Sequence, residues 1–385
     1  MRATAVNEER VAGFVAELFE GDLHAKRVQS LAHATLGAVH AASLSVAAIG
    51  RALAWARGWE FEPKHGIKQV DRLLSNGGLE VWRLFSSWVP YVLAERTEAV
   101  VTLDWTDFDA DGQSSLVATL LTTHGRSTPL VWMTVRASEL VGRRSEYEDR
   151  VLSRLRECIP PEVSVTVLMD RGFADVALYA FLDRLGFGYI VRFRKDTWVE
   201  SPLGERKKGA EWIPASGHAR QVRGARLTKE RFAVGAAVFV HKRSAKEAWL
   251  LATSFTEASA SEVLALYARR FSTEETFRDV KDLRFGMGLS AVRVSSPERR
   301  DRVLLISALA QVLLTLLGAA GESLGYDKGL KANTSKKRTH SLFTQGCFYY
   351  QALPMMTEAK LLPLVERFGE LIRAQAVFRE AFGLI

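Results

Sequence analysis

The chain has 385 residues, 48% of them hydrophobic, and a mean hydropathy of −0.01, values typical of a globular protein with a sizeable core. Its net charge of +8 and pI of about 9.5 favour a polyanionic partner, with nucleic acid ahead of an anionic membrane surface. The two cysteines, Cys158 and Cys347, belong to no CxxC or zinc pattern, so the sequence favours a reducing cytoplasm.

Two segments bear on the location of the protein. The N-terminal stretch 1–22 is charged throughout, which is not typical of a signal peptide. The apolar stretch 303–321 is long enough to span a bilayer, but Gln311 interrupts it and no second stretch of this kind exists. We interpret it as a buried core helix and expect no membrane partner.

Residues 1–96 are predicted to form an all-helical DNA-binding domain. Helical segments at 27–42, 44–58, 64–76 and 79–95 alternate with Gly and Asn. The third segment carries basic side chains suited to a helix in a DNA major groove, namely Lys64, His65, Lys68 and Arg72. A helical cap that only packs against the rest of the chain is the alternative.

From residue 97 the pattern changes to three strands, a helix, a strand, a helix and a strand, which predicts a mixed α/β sheet. Short basic strands and turns follow at 196–255, a β-rich insertion. One continuous helix is then expected from Ser261 to Phe285, because this stretch lacks Pro and Gly. We divide the remainder into a core that ends at 325 and a C-terminal helical region, 326–385, with a basic loop.

Two acidic residues stand where apolar strands are expected to end. Asp104 closes "AVVTLD" and Asp170 closes "SVTVLMD". Acids at such ends often cap turns, but they can also face a common cleft at the edge of a sheet. Glu274 on the later helix could reach the same cleft. Three converging carboxylates would suit two Mg²⁺ ions, which prefer oxygen ligands and support displacement at phosphorus.

The predicted helix carries Glu274 on a mixed stripe of side chains. At about 100° per residue, an arc of roughly 80° holds Tyr267, Arg270, Glu274, Arg278 and Lys281, whereas Glu275 lies outside it. A solvated face with i,i+4 ion pairs is one reading. The other is one acid that binds metal, surrounded by cations that bind phosphate.

Three further patterns are set aside. The stretch "DFDADG" at 107–112 matches the front of a calcium loop, but Ala118 stands where the loop needs Glu, so we predict a turn between strands. The glycines after Phe285 follow no strand, which predicts a turn rather than a phosphate loop. His65 and His124 lack an i+4 partner, and we expect turn or DNA-contact roles for them.

The spacing of Tyr267, Arg270, Glu274 and Lys281 resembles the Y-R-E-K signature of DDE transposases of the insertion-sequence-four family. The text "TEETFRDVKDLRFGMGL" is similar to the branch that contains insertion sequence ten. The resemblance extends to "KHGIKQVDRLLSN", "LDWTD", "DRGF" and "EAWLLATSF", in the expected order over most of the chain. Phe271 departs from the Trp of some relatives.

The resemblance implies a ribonuclease-H-like core interrupted by the β-rich insertion. It implies that Asp104, Asp170 and Glu274 are the catalytic, metal-binding triad, holding two Mg²⁺ ions for which Mn²⁺ could substitute. It further implies a homodimer that binds terminal inverted repeats, cuts them through a hairpin intermediate and joins them to target DNA. The residues that it places on DNA are Tyr267, Arg270, Arg278, Lys281 and Trp249.

By this resemblance Trp249 receives a flipped base in the hairpin step, while a core Trp at the start of a strand is the alternative. A cytoplasmic, nucleoid-associated bacterial protein is expected. Two other classes stay open: an inactive or domesticated transposase that only binds DNA, and a metal-dependent DNA nuclease without end specificity. A plain nuclease would not need the helical N-terminal part.

Overall fold

A computed structural model describes residues 7–58, 62–123, 125–242, 245–283 and 286–373 of the chain. His124 and Phe285, both considered in the sequence, lie outside these residues. The helices span Glu8–Phe19 (α1), Ala25–Ala41 (α2), Val46–Ala56 (α3), Pro63–Ser75 (α4), Val81–Leu93 (α5), Arg144–Cys158 (α6), Val176–Leu185 (α7), Ala260–Ala268 (α8), Phe271–Lys281 (α9), Pro297–Ser323 (α10), Leu342–Ala352 (α11) and Glu358–Arg373 (α12).

Twelve strands are assigned within the described residues. They span Glu98–Phe108 (β1), Gln113–Leu121 (β2), Ser127–Arg136 (β3), Ser164–Met169 (β4), Gly188–Arg192 (β5), Trp198–Glu200 (β6), Arg206–Lys208 (β7), Arg220–Arg223 (β8), Arg226–Leu227 (β9), Phe232–Ala233 (β10), Ala236–Val240 (β11) and Trp249–Thr253 (β12). The order from β1 to β5, with α6 and α7 between strands, is the order predicted from the sequence.

Eight of these strands form one mixed sheet in the order β3-β2-β1-β4-β5-β12-β11-β8. Strand β1 pairs in parallel with β4 and antiparallel with β2, and β4 pairs in parallel with β5. The mixed sheet and the preceding helices are consistent with the ribonuclease-H-like core expected from the resemblance.

The β-rich segment 196–255 is joined to the main sheet. Strand β12 pairs antiparallel with β5, and β11 and β8 continue the same sheet, whereas β10, β9, β6 and β7 form a separate four-stranded sheet. The sequence predicted short basic strands in this segment, but it did not predict that three of them extend the main sheet.

Helix α10 is the central apolar helix of the fold. It is long and apolar enough to cross a membrane, but 83% of its most apolar window is buried inside the protein. Helices α2 and α3 pass the same test only when taken together, and they are bent by 98°. The buried core helix expected at 303–321 therefore corresponds to α10, which packs against α11, α2, α12 and β3.

The N-terminal helices share this core. Helices α1–α5 and the sheet contribute to one continuous cluster of buried apolar residues. Arg302 of α10 donates to the backbone carbonyls of Leu74 and Leu79, and the Leu44 amide donates to the carbonyl of Met287. The helical N-terminal part is thus packed firmly against the rest of the chain.

The sequence prediction of one helix from Ser261 to Phe285 is wrong. Helix α8 ends at Ala268 and α9 begins at Phe271, because the amide of Arg270 bonds to the carbonyl of Tyr267, three residues back, and tightens the chain there. Helix α8 packs with the strands around β12, whereas α9 crosses β2 and β3. Tertiary packing on two parts of a twisted sheet breaks a helix that local composition would continue.

Candidate active site

The parallel pairing of β1 and β4 brings Asp104 next to Asp170. The register ends at Leu103 opposite Met169, so each aspartate is the next residue after the last parallel pair. Asp170 follows β4, as the sequence predicted. Asp104 does not end its strand, since β1 continues to Phe108 paired with β2 alone. An apolar run could not distinguish the end of parallel pairing from the end of the strand.

Arg270 connects Glu274 to Asp104. The Arg270 guanidinium donates to Asp104 Oδ2 at 3.3 Å and to Glu274 Oε1 at 3.1 Å, and only 9% of its side chain is exposed. Burial lowers the pKa of Arg270, but nearby Tyr267, Asp104, Asp170 and Glu274 together raise it by more. Two of the three sequence-predicted carboxylates therefore bond to one buried cation, and the charge of the third, Asp170, also acts on it.

The electrostatic state of Asp104 reflects this crowding. The pKa of Asp104 is raised to about 6, because burial and the charges of Asp170 and Glu274 raise it by more than Arg270 and the amide of Trp105 lower it. A carboxyl that is partly dry and has two carboxylate neighbours gains from any additional positive charge.

Asp170 provides evidence that the site can take a cation. Its buried Oδ1 has no hydrogen-bond partner among the described residues, and an Arg192 nitrogen lies 3.8 Å away. Arg192 itself is bonded to Glu247 at 2.5 Å. A carboxylate oxygen that makes an ion pair but no hydrogen bond, together with the carboxylates of Asp104 and Glu274, is the oxygen-only donor set that Mg²⁺ prefers.

The carboxylates are not arranged as a closed metal site. Over the described part of the chain, no three His, Cys, Asp or Glu side chains are grouped closely enough to hold a metal ion. Asp104, Asp170 and Glu274 fit a divalent ion by their chemistry, while Arg270 holds two of them as a counter-cation.

The other three residues of the predicted stripe, Tyr267, Arg278 and Lys281, each have different surroundings. Tyr267 lies on α8, is 1% exposed, and burial raises the pKa of its hydroxyl. Arg278 is exposed and pairs with Glu275 at 3.0 Å rather than with Glu274. The Lys281 amine donates to Thr106 Oγ1 at 3.1 Å and to the carbonyl of Asp107 at 2.7 Å. Burial lowers the pKa of Lys281.

Trp249 begins β12 and belongs to an aromatic group beside the carboxylates. Its ring meets Tyr267 edge-on at 5.2 Å and stacks with Phe271 at 6.1 Å between centroids. Trp249 is half-buried, and 46% of Phe271 is exposed. Both interpretations of Trp249, a base platform and a core residue, are compatible with these contacts.

The basic residues of α4 lie together on one exposed helix. Lys64, His65, Lys68 and Arg72 are all exposed, and the last three line an open groove with Ser30 of α2. His65 pairs with Glu62 at 2.6 Å. Helices α3 and α4 cross in backbone contact, because a Cβ on Gly66 would overlap the carbonyl oxygen of Gly50. This crossing presents α4 at the surface.

The calcium-like stretch is a turn, as the sequence predicted. Residues Asp109–Asp111 form a 3-10 turn between β1 and β2, and Gly112 adopts φ 58°. Asp111 binds the buried Arg300, Arg293 and the amide of Val294, so its oxygens hold the turn on α10.

Several residues that shape the site were missed in the sequence. Asp279 pairs with Arg126 at 2.5 Å in a mostly buried position, which the sequence did not predict. Thr273 and Thr276 are buried against the sheet. Their i,i+3 spacing was visible, but threonines carry no charge and attract no functional interpretation on a helix.

Comparison with known proteins adds one finding. The family model described as "Transposase DDE domain" matches residues 95–313, more than half of the chain. A search of curated proteins found no match. The matched region runs from β1 into α10 and contains Asp104, Asp170 and Glu274. The chain therefore belongs to the transposase DDE domain family.

Proposed function

We propose that the protein is a cut-and-paste DNA transposase of the insertion-sequence-four type. It would bind the terminal inverted repeats of its element, cleave them through a hairpin intermediate and join them to target DNA. The observation that carries this proposal is the bonding of Asp104 and Glu274 to Arg270, with Asp170 at the end of the adjacent strand, within a chain of the transposase DDE domain family.

The three carboxylates are proposed to hold two Mg²⁺ ions, with Mn²⁺ as a substitute. Bound metal of this kind supplies charge stabilisation to the attacking and leaving oxygens of an in-line phosphoryl displacement. The chain itself contributes by positioning the three carboxylates. Strands β1 and β4 fix Asp104 and Asp170 as neighbours, and α9 brings Glu274 from the side.

Arg270 is proposed to have two partners in turn. In the structure it neutralises Asp104 and Glu274. With Asp104 and Glu274 as metal ligands, the guanidinium would be available to a DNA phosphate, for which its fork of donors is well suited. Lys281 and Tyr267 would need local movement to contact DNA, since one is bonded to β1 and the other is buried.

End recognition is assigned to α4. Its exposed cations lie along one helix that crosses α3 at the backbone, an arrangement compatible with insertion into a major groove. The homodimer on two synapsed ends is part of the same proposal.

The test replaces each proposed metal ligand in the full-length protein. Asp104→Ala, Asp170→Ala and Glu274→Ala should each abolish cleavage of end DNA in Mg²⁺ and leave end-DNA binding within about threefold, because the binding surface lies elsewhere. Glu275→Ala is the matched control, since Glu275 adjoins Glu274 but pairs with Arg278. Cleavage by Glu274→Ala together with loss in Glu275→Ala would refute the assignment.

The same experiment separates the other classes. Equal cleavage of end DNA and random DNA by the wild-type protein would indicate a nuclease. Tight binding of end DNA with no cleavage in Mg²⁺ or Mn²⁺ would indicate a transposase-derived binding protein.

A further inference from the structure

Helix α9 meets the sheet through hydroxyl groups as well as through the apolar Phe277 and Val280. Five buried side chains form what we call the hydroxyl cluster: Thr102 of β1, Thr119 of β2, Ser127 of β3, and Thr273 and Thr276 of α9. Their exposed fractions run from 0% to 4%. Helices that pack on sheets usually do so with apolar side chains, so a polar contact at this depth requires an explanation.

Thr273 bonds to two strands at once. Its hydroxyl lies 2.8 Å from that of Thr102 and 3.3 Å from that of Thr119, and those two hydroxyls are 2.6 Å apart. Thr102 stands two residues before Asp104 on β1 and therefore on the same face of the strand. The contact of α9 is thus made beside the first carboxylate.

One turn later, Thr276 bonds to the third strand. Its hydroxyl accepts from the Ser127 amide at 2.7 Å and lies 3.1 Å from the Ser127 hydroxyl. After another three residues, Asp279 pairs with Arg126 at 2.5 Å. Three directional contacts at i, i+3 and i+6 fix both the rotation of α9 about its axis and its position along it.

Apolar packing would fix the rotation and the position of α9 less well. Apolar contacts are non-directional, and a helix held by them can rotate or slide by a fraction of a turn at little cost. A hydroxyl pair loses its hydrogen bond over the same displacement. Glu274 follows Thr273 directly, so any rotation of α9 moves its carboxylate relative to Asp104.

We infer that Thr273 is a positioning residue that sets the register of α9, so that Glu274 is held opposite Asp104 and Asp170. This inference rests on the proposed metal site. It assigns to the hydroxyl cluster a role in metal affinity, although none of its members is a proposed ligand.

The experiment measures Mn²⁺ binding to the full-length, DNA-free protein by the decrease of the free-ion electron paramagnetic resonance signal. Thr273→Val keeps the shape and removes the hydroxyl, and Thr102 and Thr119 can still bond to each other. Its Mn²⁺ dissociation constant should rise roughly tenfold, as for other residues that orient ligands. Thr273→Ser restores the hydroxyl and should restore affinity to within about twofold of wild type.

Thr134→Val is the matched control. It removes one hydroxyl from the buried Ser115–Thr134 pair, 2.7 Å apart in the same sheet, and with it a side-chain hydrogen bond to Asp301 of α10, but no bond to α9. It should lower the melting temperature at least as much as Thr273→Val and leave Mn²⁺ affinity unchanged. Equal loss of affinity in both valine variants would mean that general stability, and not the register of α9, is responsible, and would overturn the inference.

Two further outcomes are distinguishable. If wild type binds Mn²⁺ and Thr273→Val binds it equally well, the positioning role is refuted while the metal site stands. If wild type binds no Mn²⁺, the metal site is refuted and the positioning role falls with it.

Discussion

Arg270 is the residue on which the charge balance of the site depends. It is 9% exposed at the side chain and bonds to Asp104 and Glu274, with the charge of Asp170 close enough to affect it. Removal of one member of a buried ionic group leaves the others uncompensated, which costs more than the group contributes while intact.

We expect Arg270→Gln to destabilise the metal-free protein by about 1–3 kcal/mol, the cost of leaving a buried acceptor without its partner, because carboxylate repulsion is then unopposed. Added Mn²⁺ should reduce the difference in melting temperature between variant and wild type, because the ion replaces the missing charge. Thermal unfolding in EDTA and in Mn²⁺ measures both quantities.

Arg278→Gln is the comparison for this effect. Arg278 lies on the same helix, but its side chain is 61% exposed and its partner is Glu275. It should change the melting temperature little in either buffer, as exposed pairs contribute little. If Arg270→Gln lowers the melting temperature equally with and without Mn²⁺, Arg270 does not act as the counter-cation of the carboxylates.

Trp249 is the second residue whose role can be decided by substitution. A base that stacks on its ring would have to displace the exposed Phe271, while Tyr267 supports the ring from the edge. We expect Trp249→Ala to spare the first nick and to slow hairpin formation, since stacking supplies about 1–3 kcal/mol per base. An abasic site at the flipped position should restore part of the rate.

Trp198→Ala is the control, because Trp198 resembles Trp249 in its place within a strand. Trp198 also begins a strand and is half-buried, but its ring is flanked by Arg206 and Lys208. It should affect nicking and hairpin formation alike. A core role for Trp249 would instead appear as a lower melting temperature, equal loss at every step and no abasic rescue.

At the scale of elements, the sequence predicted most of what the structure contains. Helices α2–α5 and the order from β1 to β5 follow from periodicity and turn residues. The break between α8 and α9 was not predicted, because neither Arg269 nor Arg270 disfavours helix, and the packing of the two helices on different strands is not visible in the sequence. The contacts of Arg270 with Asp104 and of Thr273 with Thr102 join residues 166 and 171 positions apart, which no local pattern reveals.

The crossing of α3 and α4 yields an element-scale prediction. A Cβ on Gly66 would overlap the carbonyl oxygen of Gly50, and backbone atoms cannot move away cheaply. Gly66→Ala should therefore lower stability by about 1–3 kcal/mol through overpacking and weaken end-DNA binding by displacing α4.

Gly13→Ala is the opposite case within the same group of helices. Gly13 lies inside α1, and no atom stands within 4 Å of the place that an alanine Cβ would take. Alanine should therefore stabilise the protein by about 0.5–1 kcal/mol. Chemical denaturation and gel shifts on both variants test the pair. If Gly66→Ala destabilises the protein but leaves end-DNA binding normal, the crossing of α3 and α4 is not required for DNA recognition.

At the scale of the whole molecule, positive charge is unevenly distributed. Residues 196–255 carry eleven Lys and Arg against six Asp and Glu, and residues 326–385 carry nine against five. The proposed recognition region 1–96 carries eleven against ten and is nearly neutral. Phosphate attraction and sequence recognition are therefore expected to reside on different surfaces.

The shared core also determines how recognition must be tested. Because α2, α4 and α5 pack on α10, and α5 also packs on β3, a fragment 1–96 would expose apolar surface that the full chain buries. Its failure to bind DNA would not be informative, so substitutions in the full-length protein are required.

Two double variants separate the two surfaces. Arg206→Ala with Arg223→Ala removes exposed cations of the β-rich segment and should weaken binding to end and random DNA equally. It should also lower the slope of log K against log salt by about 0.9 for each phosphate that is no longer neutralised. Lys68→Ala with Arg72→Ala should instead reduce the preference for end DNA over random DNA, because α4 is the helix assigned to the groove.

Arg83→Ala controls for the loss of one exposed cation, since Arg83 lies on α5, is 77% exposed and pairs with Glu80. It should alter neither slope nor preference. Binding isotherms at several salt concentrations on both DNAs give both quantities for each protein. A loss of preference in the Arg206/Arg223 variant, with full preference in the Lys68/Arg72 variant, would place recognition on the β-rich segment and reverse the assignment.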